Sequence, residues 1–241
     1  MAKGRPFAAF DIDGTLIRWQ LYHALADALA ERGHIDAKSY QAMREARLKW
    51  KRRSGGTFKD YEHQVVMIYE AMLKTLSFEQ LDEAIDAVFD EYKDQVYTYT
   101  RDLIAELKAS NYLLFAISGS QTEIVQKVAD YYGFTDYIGT VYGRSGGNFT
   151  GADSIGSFHK DKTLQKLVAK HAASFEDSLA FGDSASDAAM LELVERPVAF
   201  NPDADLFKIA KDKGWKIVLE RKNMIYELEK TNGKYELVKT N

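Results

Sequence analysis

Cysteine is absent from the 241 residues. That excludes disulfides, thiolate chemistry and cysteine-ligated metals, and it fits a reducing compartment. No run approaches the roughly 18 apolar residues that a membrane-spanning helix needs. The basic N-terminus is not followed by a signal-peptide core, because Asp11 and Asp13 interrupt the first apolar run. The net charge of −4 gives no global pull toward nucleic acid or an anionic membrane. Repeats and low-complexity tracts are missing too, and the five histidines show no metal-ligand spacing. What remains is a cytoplasmic protein, monomeric or homodimeric, without a membrane or nucleic-acid partner. At 46% hydrophobic and 28% charged residues it has an ordinary globular composition.

Short apolar runs at 6–10, 112–117, 179–181 and 198–200, with a weaker one at 140–142, read as buried parallel strands. Helix-period segments at 102–108, 123–132, 162–172 and 187–195 fall between them. This alternation predicts an α/β fold: a Rossmann-like parallel sheet core with helices on both faces. The rhythm stops between 19 and 96, where about four helical segments follow one another, with a flexible break at "SGGT" (54–57). The expected organisation is therefore a core of 1–18 and 97–241 carrying an inserted α-helical cap domain at 19–96. Near 223–239, Asn-Gly between two alternating segments predicts a terminal β-hairpin.

The chemistry concentrates at strand ends. "FAAFDIDGTLIRW" (7–19) closes its apolar run with Asp11 and Asp13, followed by Gly14 and Thr15. Functional groups in open parallel sheets collect at the carboxyl ends of strands. The expectation is that Gly14 permits a tight turn and that the N–H groups of Gly14 and Thr15 face an anion. "LAFGDSASD" places Asp183 and Asp187 in the same way. If the two strands are neighbours, four carboxylates converge. Two of them ~4 Å apart repel by about 4 kcal/mol at an effective dielectric near 20, so the group demands a hard cation, and Mg²⁺ suits all-oxygen ligands. "LLFAISGSQTEIV" ends a strand in Ser118-Gly119-Ser120 and opens a helix, a natural anion site. Lys160 and Lys162 offer positive charge at another helix start.

At these four motifs the chain resembles the haloacid dehalogenase (HAD) superfamily of phosphohydrolases, in particular its phosphoserine-phosphatase-like branch, subfamily IB. "DIDGT", the serine of "ISGS", Lys160 and "GDSASD" match the four motifs in order. The resemblance implies a phosphomonoesterase acting on a small phosphorylated metabolite. Asp11 would be the nucleophile that becomes an aspartyl phosphate, and Asp13 the general acid and base. Asp11, the backbone carbonyl of Asp13, and Asp183 would hold Mg²⁺, with Asp187 acting through a bound water. Ser118, the N–H of Gly119 and Lys160 would hold the phosphoryl group. Lys160 is favoured over Lys162 because the family lysine precedes an apolar residue by four positions, as Lys160 precedes Leu164. Phosphoserine phosphatases carry a cap glutamate where this chain has Gln20. Gln20, and Arg52 in the basic "KWKRR" stretch, are the candidate leaving-group contacts. A phosphotransferase or mutase on the same chemistry, and a catalytically silent phosphate-binding scaffold, are the alternatives.

Overall fold

A computed structural model describes residues 4–55, 58–154, 156 and 159–240, without the side chains of 59 and 152–154. Gly56 and Thr57 of the expected flexible break lie outside these residues.

The first strand, β1 (Pro6–Phe10), lies in the middle of the sheet, and its residues face two different cores. Ala8 and Phe10 belong to one buried cluster and Phe7 and Ala9 to the other. A strand covered on both faces has no polar face, which is why these runs read as continuous apolar stretches. β2 (Leu113–Gln121) and β5 (Ser174–Gly182) flank β1, both parallel to it. β3 (Asp136–Ser145) continues parallel beyond β2; β6 (Arg196–Phe200) and β7 (Lys216–Arg221) continue parallel beyond β5. β4 (Asn148–Ser154) pairs antiparallel with β3 at one edge. At the other, β8 (Met224–Thr231) and β9 (Lys234–Thr240) form an antiparallel hairpin on β7. Its turn residues Asn232 and Gly233 both have positive φ, 51° and 80°, the type I′ geometry that Asn-Gly favours. The order among the described residues is β4-β3-β2-β1-β5-β6-β7-β8-β9.

Between β1 and β2 the chain is helical: α1 (Leu21–Glu31), α2 (Ala37–Lys51), α3 (Phe58–Leu73), α4 (Phe78–Tyr92) and α5 (Thr98–Ala109). Leu21, Leu25 and Leu29 of α1 lie on one face and are fully buried, as a four-residue apolar spacing requires. Asp36 caps α2 by accepting from Lys38 and Ser39. Ser77 and Gln80 form a reciprocal capping box on α4. The connectors into and out of this stretch run antiparallel. Arg18 N–H donates to Gln95 O at 2.8 Å and Tyr97 N–H to Leu16 O at 2.9 Å. The apolar faces of α1, α3 and α4 share one cluster with the sheet: Leu25, Val65 and Val88 join Phe10, Ala116 and Phe181.

The opposite sheet face is covered by α7 (Lys160–Lys170), α8 (Ala188–Leu191) and α9 (Ala204–Lys213), while α6 (Thr122–Tyr132) packs with the first cluster. Helix α7 starts two residues earlier than the periodicity predicts. The segment expected as a helix at 187–195 is instead one 3₁₀ turn, Ala185–Asp187, followed by the single turn of α8. Side-chain bonds from Asp187 hold that turn in its tighter form, as described below. The edge strand β4, the strand β7 and helix α9 were not foreseen.

Phe10 and Phe181 are direct cross-strand partners whose rings stack at 4.5 Å and 10°. Burial of this pair fixes the β1–β5 register, and the register fixes which residues emerge at the strand ends. Phe181→Ala is expected to cost about 3–5 kcal/mol in urea unfolding. A loss below about 1 kcal/mol would show that the pair does not hold the register.

Candidate active site

The β1–β5 register places Asp11 one residue beyond the Phe10–Phe181 pair. Asp11 N–H donates to Phe181 O at 2.9 Å, so the ladder runs to the base of that side chain. Gly182 follows Phe181, and Asp183 follows Gly182. Oxygen atoms of Asp11, Asp183 and Asp187 lie within 4.8 Å of one another. Asp11 and Asp187 are buried and Asp183 partly so.

Two glycines make this crowding possible. A Cβ on Gly14 would stand 2.2 Å from Asp183 Oδ2, and the residue has φ +86°. A Cβ on Gly182 would stand 2.4 Å from the Asp187 Cβ. Glycine at both positions is therefore required by close approach, and at Gly14 by backbone conformation as well.

Lys160 is the counter-charge. Its Nζ lies 2.7 Å from Asp11 Oδ1 and 2.5 Å from Asp187 Oδ1, and the side chain is 2% exposed. It is the first residue of α7, where the helix dipole opposes a cation; the two carboxylates outweigh that. Burial alone would lower its pKa, yet Asp11 and Asp187 hold it above the ordinary lysine range. Lys162, two residues on, is exposed.

Asp187 is saturated by protein donors. Its Oδ2 accepts the N–H groups of Asp183 (3.1 Å) and Ser184 (3.0 Å) and the Ser184 hydroxyl (3.2 Å), while Oδ1 receives Lys160. Those bonds curl the "GDSASD" loop. Among the described residues, Asp11 Oδ2 and the Asp183 carboxylate have no protein donor. One ammonium faces three carboxylates. Burial pushes Asp11 up to about 7 against the pull of Lys160, with Asp187 and Asp13 adding to the rise. Burial, then Asp11 and Asp187, raise Asp183 well above the carboxylate range. An excess of negative charge with free, hard oxygen acceptors fits a divalent cation such as Mg²⁺.

The fourth carboxylate departs from the expected convergence. Asp13 Oδ1 accepts Leu21 N–H at 2.6 Å and Oδ2 accepts the Ser118 hydroxyl at 2.7 Å. Its side chain is thus drawn toward α1 and β2, outside the three-carboxylate cluster. Burial raises its pKa, with Ser118 and the Leu21 N–H pulling the other way. Ser118, expected to face a phosphoryl oxygen, donates instead to Asp13 and accepts Ser120 N–H at 2.9 Å.

The amides of Gly14 and Thr15 are not free for an anion. Gly14 N–H donates to Ile17 O at 2.9 Å and Thr15 N–H points at Ile12 O at 3.4 Å. Two neighbouring amides were overlooked: the N–H groups of Ile12 and Asp13 have no protein acceptor among the described residues. Their position between the last ladder bond and the turn was the available signal. Gly119 sits in β2 between Ser118 and Ser120, and its carbonyl accepts the Thr140 hydroxyl at 2.6 Å. Gln20 precedes α1 and makes no capping bond. Arg52 ends α2 exposed, and no contact brings it to the carboxylates among the described residues.

A family model described as haloacid dehalogenase-like hydrolase matches residues 8–192. The chain belongs to this family. It is similar to a histidinol-phosphatase of Neisseria meningitidis serogroup C, 29% identical over 225 residues, covering 88% of this chain and 97% of that protein. It is also similar to a phosphoserine phosphatase of Mycobacterium tuberculosis, 25% identical, covering 87% of this chain and 69% of that one. A crystal structure of a protein with unknown function from Bordetella pertussis Tohama I shares the fold with a TM-score of 0.71 at 21% identity, covering 89% and 98% of the two chains. A phospho-aspartyl intermediate analogue of phosphoserine phosphatase superposes with a TM-score of 0.60 at 21% identity, covering 92% and 95%. The haloacid dehalogenase fold, a mostly parallel sheet with helices on both sides, and membership among phosphatase-type hydrolases follow. Among the described residues no helix is long and apolar enough to cross a membrane.

Two outcomes follow from this geometry. Gly14→Ala forces a strained φ and a collision with Asp183, and is expected to destabilise by about 1–3 kcal/mol; an unchanged urea midpoint would contradict the close approach. Asp11 has a folded pKa above its unfolded one, so the stability it contributes is fully present below the unfolded carboxylate range and is lost as pH rises through about 7; the raised Asp183 acts in the same direction. With chelator present, the melting temperature is expected to fall between about pH 5 and about pH 8, and Mg²⁺ to raise it more at the higher pH. A melting temperature indifferent to both pH and Mg²⁺ would contradict the charge excess.

Proposed function

We propose that the protein is a Mg²⁺-dependent phosphomonoesterase that hydrolyses a small phosphorylated metabolite through an aspartyl phosphate on Asp11. The observation that carries this reading is the division of labour between two carboxylates two residues apart. Asp11 keeps one oxygen on Lys160 and the other unpaired, the state of a nucleophile held in one orientation. Asp13 is turned away from the cluster toward Leu21 N–H and the Ser118 hydroxyl, clear of the metal-binding oxygens, where in its protonated form it can give a proton to a leaving alkoxide. After transfer the same group, now ionised, takes a proton from the attacking water. The structural neighbour described as a phospho-aspartyl intermediate analogue supports the covalent route.

Asp11 and Asp183, with the backbone carbonyl of Asp13 and with Asp187 behind them, would hold Mg²⁺; when bound, the ion supplies charge neutralisation at the phosphoryl oxygens. Lys160 neutralises charge on the side of Asp11 and Asp187. The free N–H groups of Ile12 and Asp13 are the donors for phosphoryl oxygens, joined by the N–H of Gly119 and by Ser118 once its hydroxyl turns from Asp13 to the phosphate, and together they answer the charge that builds up in phosphoryl transfer. Helices α1–α4 act as a cap that keeps bulk water from the acyl phosphate. Candidate substrates begin with histidinol phosphate and phosphoserine, after the names of the relatives. Gln20 can accept a hydrogen bond from an ammonium but brings no charge to it.

A hydrolysis screen of metabolite phosphates with and without Mg²⁺ tests the activity. Asp11→Asn is expected to abolish turnover with the fold intact by circular dichroism; near-normal turnover would remove Asp11 as the nucleophile. Asp13→Asn is expected to lose about 10²–10⁴-fold on poor leaving groups and much less on p-nitrophenyl phosphate. Equal losses on both would remove its acid role.

A further inference from the structure

The leaving oxygen of a substrate has to lie within reach of Asp13, hence between the start of α1 and the end of β2. Both segments continue directly into a polar patch. From α1, the Tyr22 ring packs on Tyr69 of α3 at 4.5 Å. From β2, the chain passes Ser118 and Ser120 and reaches Gln121, which is 0% exposed. Gln121 occupies the N-cap position of α6 but makes no capping bond. Its side chain turns instead to the cap, where Oε1 accepts the Tyr69 hydroxyl. Its Nε2 is buried without any partner.

Two residues on, in the first turn of α6, Glu123 shows the opposite valence. Its Oε1 pairs with Arg144 at 2.6 Å, and its Oε2 is buried without a partner. A buried polar atom left unpaired is costly. Five such side-chain atoms occur among the described residues, and two of them, one donor and one acceptor, sit on this short stretch without bonding each other. An orphan donor and an orphan acceptor two residues apart at the start of one helix suit a ligand that carries one of each and extends along that turn.

We propose that Gln121 and Glu123 are specificity-determining residues that read the leaving group. Gln121 Nε2, oriented by Tyr69, donates to an oxygen of the leaving alcohol, and Glu123 Oε2 accepts from its hydroxyl or ammonium. The substrate class is a phosphate monoester of a small alcohol that bears both an acceptor oxygen and a hydrogen-bonding cation or hydroxyl. This rests on the phosphomonoesterase reading and narrows it.

The test compares serinol phosphate, which carries an amine and a hydroxyl, with 2-methylbutyl phosphate, its hydrocarbon isostere. Affinities are measured by calorimetry with Mg²⁺ on the full chain carrying Asp11→Asn. Serinol phosphate is expected to bind at least about tenfold more tightly, because the isostere leaves both protein groups unpaired. Gln121→Met and Glu123→Gln, each added to that protein, are expected to bring the ratio close to one. The melting temperature of Gln121→Met is expected not to fall, since the amide it removes is half unsatisfied. Equal affinities in the starting protein, or a ratio untouched by both substitutions, would overturn the assignment. So would a lowered melting temperature with both ligands weakened alike, which is what a purely structural glutamine predicts. Turnover of p-nitrophenyl phosphate by the unsubstituted enzyme is measured alongside. Its absence would defeat the phosphatase reading, whereas the affinity ratio decides this one.

Discussion

The structure depends on how one lysine ammonium is shared by buried carboxylates. Lys160 bridges Asp11 and Asp187, from the ends of two neighbouring strands, within 2.7 Å and 2.5 Å. Breaking a buried pair of this kind by removing one partner typically costs about 3–5 kcal/mol, because a charge is left uncompensated. One positive charge cannot balance Asp183 as well. The residual field is what makes the cluster suitable for a divalent cation, and with the cation, suitable for a phosphate dianion that the bare carboxylates would repel. Much of the local sequence serves this arrangement. Phe10 and Phe181 set the register, Gly14 and Gly182 give up side chains so that carboxylates can approach, and Ser184 ties Asp187 into the turn.

The helices between β1 and β2 are coupled to this centre through Asp13. Its bond to Leu21 N–H engages one of the unsatisfied amides at the start of α1, so the proposed proton donor is also a support for the helix beneath it. The buried cluster is continuous from the sheet into α1, α3 and α4. In the proposed function, closure over the site is then an apolar contact as well as a polar one, and the packing that stabilises the fold is also what would exclude water. The paired connectors at Leu16–Arg18 and Gln95–Tyr97 are the only two covalent routes into this helical stretch.

Much of this was legible in the sequence, for identifiable reasons. Strands buried on both faces reduce to unbroken apolar runs, so β1 and β5 stood out along with the aspartates that end them. Lys160 was distinguishable from Lys162 only by spacing to Leu164, which is fully buried in α7. What escaped notice had weaker patterns. In β7, "KIVLER" mixes charges into an edge-ward strand, and β4 is a glycine-containing edge strand. Helix α9 is marked by its ends rather than by a strong apolar period: Asp203 caps it by accepting Leu206 N–H at 2.7 Å, and Gly214 ends it in the left-handed conformation. The direction of the Asp13 side chain could not be read, since it depends on α1 lying across the strand end. The amides near Gly14 were misassigned because their carbonyl partners, Ile17 and Ile12, come from a local turn that no residue pattern announces.

The most direct measurement of the central claim is the binding of Mn²⁺, as a paramagnetic substitute for Mg²⁺, followed by electron paramagnetic resonance. The account predicts one tight site per chain, whose spectrum changes when inorganic phosphate is added, and an affinity reduced about 100-fold or more in Asp183→Asn. Binding of equal affinity in that variant, or a bound ion blind to phosphate, would contradict it.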